Sequence, residues 1–353
     1  MKILKIGLLI LIFLAGVSSG YLLLQIKPRS EFKIPVVKET ARPLDKYTIE
    51  NLSKRKPAGG EVKIEKTLEE NKDFVSYLFS FTTEGKKVTG QMNVPVLSLK
   101  YPLILMIRGY VDQKIYQTGV GTKRPAEVFA KNGFITIAPD FLGYGDSNKE
   151  ASDIFETRFQ TYTTVLDLIE SIKQPHFAEV NDPEAQTRRA TRGAWNQKDI
   201  FLWAHSNGGQ IALTVLEITG ATYPTVLWAP VSKPFPYSIL YYVDESEDGG
   251  KLIRRELAKF EETYDTDLYS IHKYFDRVLA PIQINQGIND TAVPKSWSDN
   301  LYKNLSARKQ PSSEQTTDYF SYPGADHNLT PGWNLAITRN LEFFQKNLKS
   351  VLK

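Results

Sequence analysis

Near the middle of the chain an apolar run, Asp199-Ile200-Phe201-Leu202-Trp203-Ala204-His205, leads directly into Ser206-Asn207-Gly208-Gly209. A serine between small residues at a strand-to-helix junction constrains the backbone tightly. Ala204 and Gly208 let the chain bend sharply enough to lift the serine oxygen above the sheet. The segment from Gln210 to Leu216 then has the apolar spacing of a buried helix. Strand, sharp turn and helix together predict a nucleophile elbow carrying Ser206. An ordinary Gly-rich turn in an α/β protein is the competing reading, and the flanking strand and helix count against it.

Such a serine needs a base, and the chain has only four histidines, His176, His205, His272 and His327. The family resemblance given below implies that acid and base follow the serine in the order Ser, acid, His. His205 adjoins Ser206, and neighbours on a strand point to opposite faces. His176 precedes the serine in a polar stretch, and His272 lies in a charged, aromatic segment. His327, in Tyr322-Pro323-Gly324-Ala325-Asp326-His327-Asn328, follows a short strand and sits on a Gly-containing loop. That is the position expected of a water-accessible general base.

For the acid, Ala280 to Asp290 reads as a strand ending in a Gly loop with a carboxylate at its C-terminal end, where catalytic groups of open α/β sheets gather. Asp290 is expected to hold the imidazole of His327 in the right tautomer. Asp326 is the rival, although adjacent residues orient each other poorly; a turn-forming role is the plain alternative for Asp290. The strand Tyr101 to Ile107 ends at Arg108-Gly109-Tyr110. The amides of Tyr110 and of Asn207 are the expected donors of an oxyanion hole.

At this point the chain resembles α/β-hydrolases, and more closely the catalytic domain of the prolyl oligopeptidase family of serine peptidases. The resemblance runs from about Tyr47 to the C-terminus. It is carried by Val88-Thr89-Gly90-Gln91-Met92-Asn93-Val94-Pro95, by Ala138-Pro139-Asp140-Phe141-Leu142-Gly143-Tyr144-Gly145-Asp146-Ser147, by the Ser206 turn and by the Asp290 and His327 loops. It implies an α/β-hydrolase fold, with a mainly parallel central sheet, helices on both faces and antiparallel strands at the N-terminal edge. Two departures stand out. Relatives usually show His-Gly where this chain has Arg108-Gly109, and Gly where it has Ala204. The first bears on the oxyanion loop; the second keeps a small residue. The related dienelactone hydrolases use a cysteine nucleophile, which a chain with no cysteine lacks.

Apart from its ends the chain reads as one enzyme domain, residues 61–353, with strands and helices alternating as in a sheet covered on both faces. The stretch Val75, Tyr77, Phe79, Phe81 suggests antiparallel strands opening that sheet. Residues 231–276 are the least regular part, rich in Tyr, Phe and acids, and are expected either as a cap over the substrate pocket or as ordinary packed helices. Within them Asp244 to Gly249 imitates the start of a calcium loop, but Arg255 stands where that loop needs its last glutamate. No metal or nucleotide motif occurs, and no cofactor is expected.

Residues 6–26 carry no charge and are dominated by Leu and Ile, behind the basic residues Lys2 and Lys5. A run of about twenty such residues spans a hydrocarbon core. Residues 1–26 are therefore expected as an N-terminal membrane anchor, with a cleaved signal peptide as the rival. Residues 27–60, rich in Lys, Pro and Gly, read as a tether. The four basic residues Lys2, Lys5, Lys27 and Arg29 account for the whole formal charge of +4. The rest is neutral overall, which gives no support to a nucleic-acid partner.

The sequence thus predicts a membrane-tethered serine hydrolase with its catalytic domain outside the cytoplasm, using Ser206, Asp290 and His327. The resemblance favours a serine-type peptidase. A carboxylesterase with the same residues is the alternative, and a non-catalytic surface-binding protein on a hydrolase scaffold is the third reading.

Overall fold

The computed structural model describes residues 41–97, 99–178, 193–308 and 315–349. The expected membrane segment and the first part of the tether lie outside the described residues. Among the described residues no helix is long and apolar enough to cross a membrane.

The described strands form one sheet: β1 (Lys63–Glu70), β2 (Phe74–Thr83), β3 (Lys86–Pro95), β4 (Lys100–Ile107), β5 (Ile135–Pro139), β6 (Ala194–His205), β7 (Thr225–Trp228), β8 (Ile282–Gly287) and β9 (Thr317–Tyr322). In space they run β1-β2-β3-β5-β4-β6-β7-β8-β9. The pairings from β1 to β3 and between β3 and β5 are antiparallel, and those from β5 through β4 and β6 to β9 are parallel. The helices are α1 (Ile49–Lys54), α2 (Lys123–Lys131), α3 (Ile154–Ile172), α4 (Asn207–Thr219), α5 (Tyr237–Leu240), α6 (Lys251–Glu261), α7 (Lys295–Ser306) and α8 (Trp333–Lys346). This is the α/β-hydrolase fold that the motifs imply.

The side-chain alternation of the central strands divides the core in two. In β6, Leu202 and Ala204 join the cluster that holds Phe159 of α3 and Leu213 of α4, while Phe201 and Trp203 join Phe129 of α2 and Phe344 of α8. Because both faces are covered along Leu103–Ile107 of β4 and Ile200–Ala204 of β6, those stretches are apolar without interruption, as buried parallel strands require. At the open edge β1 is Lys- and Glu-rich and its pairing with β2 breaks register twice, which discourages further strand addition.

The tether expected over residues 27–60 is corrected where it is described. Residues 43–54 form a short 3-10 turn and α1, with Leu44, Tyr47, Ile49 and Leu52 buried in the core. The four apolar residues are divided between the turn and the helix and stand among Lys, Arg and Pro, which masks them in the sequence. Arg55 then makes a bidentate pair with the fully buried carboxylate of Asp167, at 2.7 and 2.8 Å. Asp167 also accepts from the amide of Ala58 and the hydroxyl of Thr83, so the segment is stitched to α3 by charge-assisted hydrogen bonds.

Residues 231–276 lie between β7 and β8 and pack against the body of the domain. Phe235, Phe260 and Tyr269 pack on Phe155 and Phe159 of α3, with ring centroids 4.9 to 5.8 Å apart in the closest pairs. In the same insertion Tyr241 and Tyr242 meet Trp297 edge-on, and the Tyr242 hydroxyl donates to the carbonyl of Ala292. The acids of the calcium-like stretch are used locally: Asp244 pairs with Arg254, and Asp248 accepts from the amides of Gly250 and Leu252 at the start of α6.

Helix α4 carries a buried carboxyl, that of Glu217. It is 1 % exposed, and neither carboxylate oxygen has a hydrogen-bond partner. Burial pushes its pKa well above the ordinary 4.5, opposed by the charge of Arg277. The folded chain therefore keeps a proton that the unfolded chain releases above about pH 4.5, so stability falls as pH rises from there toward the raised folded value. Glu217→Met is expected to raise the stability at pH 7 by about 1–3 kcal/mol, with the gain shrinking toward acid. Urea midpoints across this pH range check it; a gain independent of pH would contradict it.

Candidate active site

Ser206 occupies the junction of β6 and α4 with φ 57° and ψ −122°. A non-glycine residue with positive φ is strained and persists only where its surroundings hold it. Here the Ser206 amide donates to Trp228 O, and its carbonyl accepts from the amides of Gly209 and Val231, each at 2.9 Å. Gly208 permits the sharp turn: a Cβ there would lie 2.2 Å from the carbonyl of Ile107. Gly109 is similarly forced, since a Cβ would lie 2.9 Å from Cβ and 3.4 Å from Oγ of Ser206. The serine side chain therefore rests directly against the loop that follows β4.

His327 and Asp290 meet. The imidazole Nδ1 donates to Asp290 Oδ2 at 2.8 Å, with the carboxylate fully buried and the imidazole 23 % exposed. The other oxygen, Oδ1, accepts from the amides of Ala292 and Val293 at 2.9 and 2.8 Å. Gln286 Nε2 adds a bond to Oδ2 at 3.1 Å, and Gln286 is itself fixed by Ser298. Burial acts to raise the Asp290 pKa, but the bonds from His327 and Val293 outweigh it and hold the carboxyl below its ordinary value. The rival Asp326 is exposed and turns inward to its own loop, accepting from the amides of Asn328 and Thr330. The two loops are joined by backbone bonds from Ile288 to Tyr322 and from Asn289 to Ala325.

His205 has a place that its neighbourhood in sequence conceals. Its Nε2 donates to the carbonyl of His327 at 3.0 Å, and the two rings lie 4.6 Å apart between centroids. This bond links the residue before Ser206 to the His327 loop. Burial, reinforced by the nearby His327, pushes the His205 pKa down to about 4, so it stays neutral near pH 7. His272 is elsewhere, bonded to Ser270 and paired with Asp267. The side chain of His176 lies outside the described residues.

The loop after β4 is organised by Arg108, 6 % exposed. Its guanidinium donates to Gly109 O at 2.9 Å and Asp140 O at 2.8 Å, and lies 4.0 Å from the ring centroid of Tyr144 and 4.6 Å from that of Tyr116. The Asp140 carboxylate is enclosed by hydroxyls of Thr89, Tyr116 and Thr118. Burial raises its pKa against those bonds. In a trans peptide the C=O and N–H point oppositely, so pinning the Gly109 carbonyl also aims the Tyr110 amide. The Tyr110 side chain is 78 % exposed, so only its backbone is held at this loop. Asn207 opens α4, where first-turn amides have no intrahelical acceptor.

A cavity of about 200 Å³ adjoins these two backbones, lined by Gly109, Tyr110 and Asn207 and, across from them on α3, by Ile154, Arg158 and Thr161. A second cavity, about 410 Å³, lies at the opposite pole beside Pro224, Pro281 and Thr316, which precede β7, β8 and β9. Ligands of such sheets bind at the carboxyl ends of the strands, which favours the first. Among the described residues no group of three or more His, Cys, Asp or Glu is arranged to hold a metal.

No protein-family model matches the chain, and no curated protein matches it in sequence. Solved structures do match the fold. Est1E from Butyrivibrio proteoclasticus with ferulic acid bound is 16% identical, with TM-score 0.52, over 77% of this chain and 99% of that one. Acetyl xylan esterase 1 from Thermoanaerobacterium is 15% identical, with TM-score 0.51, over 85% and 93%. Acylaminoacyl peptidase from Pyrococcus horikoshii is 15% identical, with TM-score 0.54, over 80% of this chain but only 44% of the peptidase. The shared property is the α/β-hydrolase fold, which hosts both esterases and peptidases.

Proposed function

We propose that the chain is a serine hydrolase in which Ser206, His327 and Asp290 act as a triad. The observation that carries this reading is the 2.8 Å Asp290–His327 bond, on loops tied to His205, the residue that precedes a strained Ser206. Asp290 occupies Nδ1 of His327, which leaves Nε2 to accept the Ser206 proton as Oγ attacks the substrate carbonyl. The amides of Tyr110 and Asn207 receive the developing oxyanion, and Arg108 acts as a positioning residue for the first of them. His327 returns the proton to the leaving group. A water, deprotonated by the same imidazole, then cleaves the acyl-enzyme and frees Ser206.

For the bond cleaved, a carboxylic ester is the first reading, and the cavity of about 200 Å³ fits a compact acyl group. The motif resemblance favours peptide bonds, as the second reading. A fluorophosphonate probe is expected to label the wild-type protein at Ser206, because only an activated serine reacts; an unlabelled folded protein would point instead to a non-catalytic binding role. Comparing short-chain acyl esters with aminoacyl anilides then separates the two bonds, with faster ester turnover expected.

A further inference from the structure

We propose that the cavity between the Gly109–Tyr110 loop, Asn207 and α3 binds the acyl part of a carboxylate-bearing substrate, with Arg158 as the group that receives the carboxylate. The inference rests on the serine-hydrolase reading for the position of the acyl carbonyl.

Arg158 lies on the line of α3 formed with Ile154 and Thr161, the spacing of one helix face, and that face borders the cavity. Its guanidinium is held by neutral acceptors: Nη2 donates to Gln210 Oε1 and, at 3.4 Å, to Ser238 Oγ. The Nε is buried with no partner. Among the described residues no carboxylate stands within ion-pairing distance of Arg158, whereas Arg55 and Arg277 are paired with Asp167 and Glu50. Gln210 is 1 % exposed, and its Nε2 is also unpartnered, so in its described contacts this buried amide serves the arginine.

A partly enclosed guanidinium with no counter-charge is a costly arrangement unless a ligand supplies one. Arginine's planar fork suits a carboxylate in particular. Glu150, which also lines the cavity, is engaged by Gln113 Nε2 at 2.9 Å and repels an anion from its own side. With Tyr110 and Asn207 at one wall and Arg158 at the other, one acyl group spans the space: its carbonyl at the amides, its distal carboxylate at the guanidinium. The size of the cavity selects a short dicarboxylic acyl group, such as glutaryl on an ester, or the side chain of a glutamyl residue in a peptide.

The test compares hydrolysis of monomethyl glutarate and methyl pentanoate by the wild type, Arg158→Met and Arg158→Lys. The wild type is expected to prefer the half-ester, and Arg158→Met to lower the ratio of the two kcat/KM values by about 10- to 100-fold. Arg158→Lys should lower it less. An unchanged ratio in Arg158→Met, or no preference in the wild type, overturns the inference. Acetyl-glutamyl against acetyl-glutaminyl anilide shows whether the carboxylate arrives on a peptide. Calorimetric titration with glutarate reads the site without turnover: binding by the wild type and its loss in Arg158→Met support it, and no binding by the folded wild type overturns it. Probe labelling of Ser206 without any preference for the anion removes this inference and leaves the hydrolase reading standing. Glutarate binding without labelling does the reverse.

Discussion

Replacing Ser206 by alanine is expected to lower kcat for an activated acyl ester by about 10⁴- to 10⁶-fold, with a residue left by the oxyanion donors. The size of the loss follows from what remains. The backbone bonds that hold position 206 run through its amide to Trp228 and its carbonyl to Gly209 and Val231, and alanine keeps them all. Alanine also fits the space against Gly109, because it removes only the oxygen. The turn, and with it the amide of Asn207, should therefore persist, and the unfolding midpoint should shift by less than about 1 kcal/mol. Activity and stability measured on the same preparation check this. Turnover of the activated ester within tenfold of the wild type would remove Ser206 from the mechanism.

Asp290→Asn is the second large effect, a loss of about 10³- to 10⁴-fold in kcat/KM with little change in fold. The direction follows from the donors around the carboxylate. Oδ1 accepts two backbone amides, from Ala292 and Val293, so the asparagine oxygen must take that place. Its NH2 group then falls where Oδ2 was, facing His327 Nδ1 and the donating Nε2 of Gln286. His327 can answer only by accepting at Nδ1, which moves its proton to Nε2 and removes the lone pair that Ser206 needs. The two opposed donors, Gln286 and the new amide, add a local penalty of about 1–3 kcal/mol. Steady-state kinetics on an ester and a urea midpoint separate the two consequences. A loss of less than tenfold would mean that another group orients the imidazole.

Much of the candidate site was legible because its chemistry is tied to order along the chain. Four histidines, one small-residue serine turn and one carboxylate at a strand end left few combinations, and the structure brings Asp290 to His327 while Asp326 caps its own loop. Helix and strand positions followed from periodicity, as in the apolar spacing of Gln210 to Leu216 in α4 and the alternation of Val75, Tyr77, Phe79 and Phe81 in β2. The packed turn at residues 43–54 was not legible, since its four apolar residues sit in a segment whose composition is that of a linker. Nor was the reach of residues 231–276, whose tyrosines show their partners only after folding.

The sequence by itself determined the sheet, the sharp turn at Ser206 and the candidate side chains Ser206, Asp290 and His327, because backbone periodicity and steric need for small residues are local properties. Only the tertiary structure decided what each charge faces. Arg108 reads as an anomaly in a turn, yet the fold places it on Gly109 O and between aromatic rings. His205 was set aside as a base, and the fold ties it to the His327 backbone at 3.0 Å. Arg158 looks like any helix arginine until its neighbours are known, and those neighbours come from α4 and α5, more than 50 residues away in the chain. Electrostatic partners act across space, so a one-dimensional pattern carries the candidate serine turn but not the field around it.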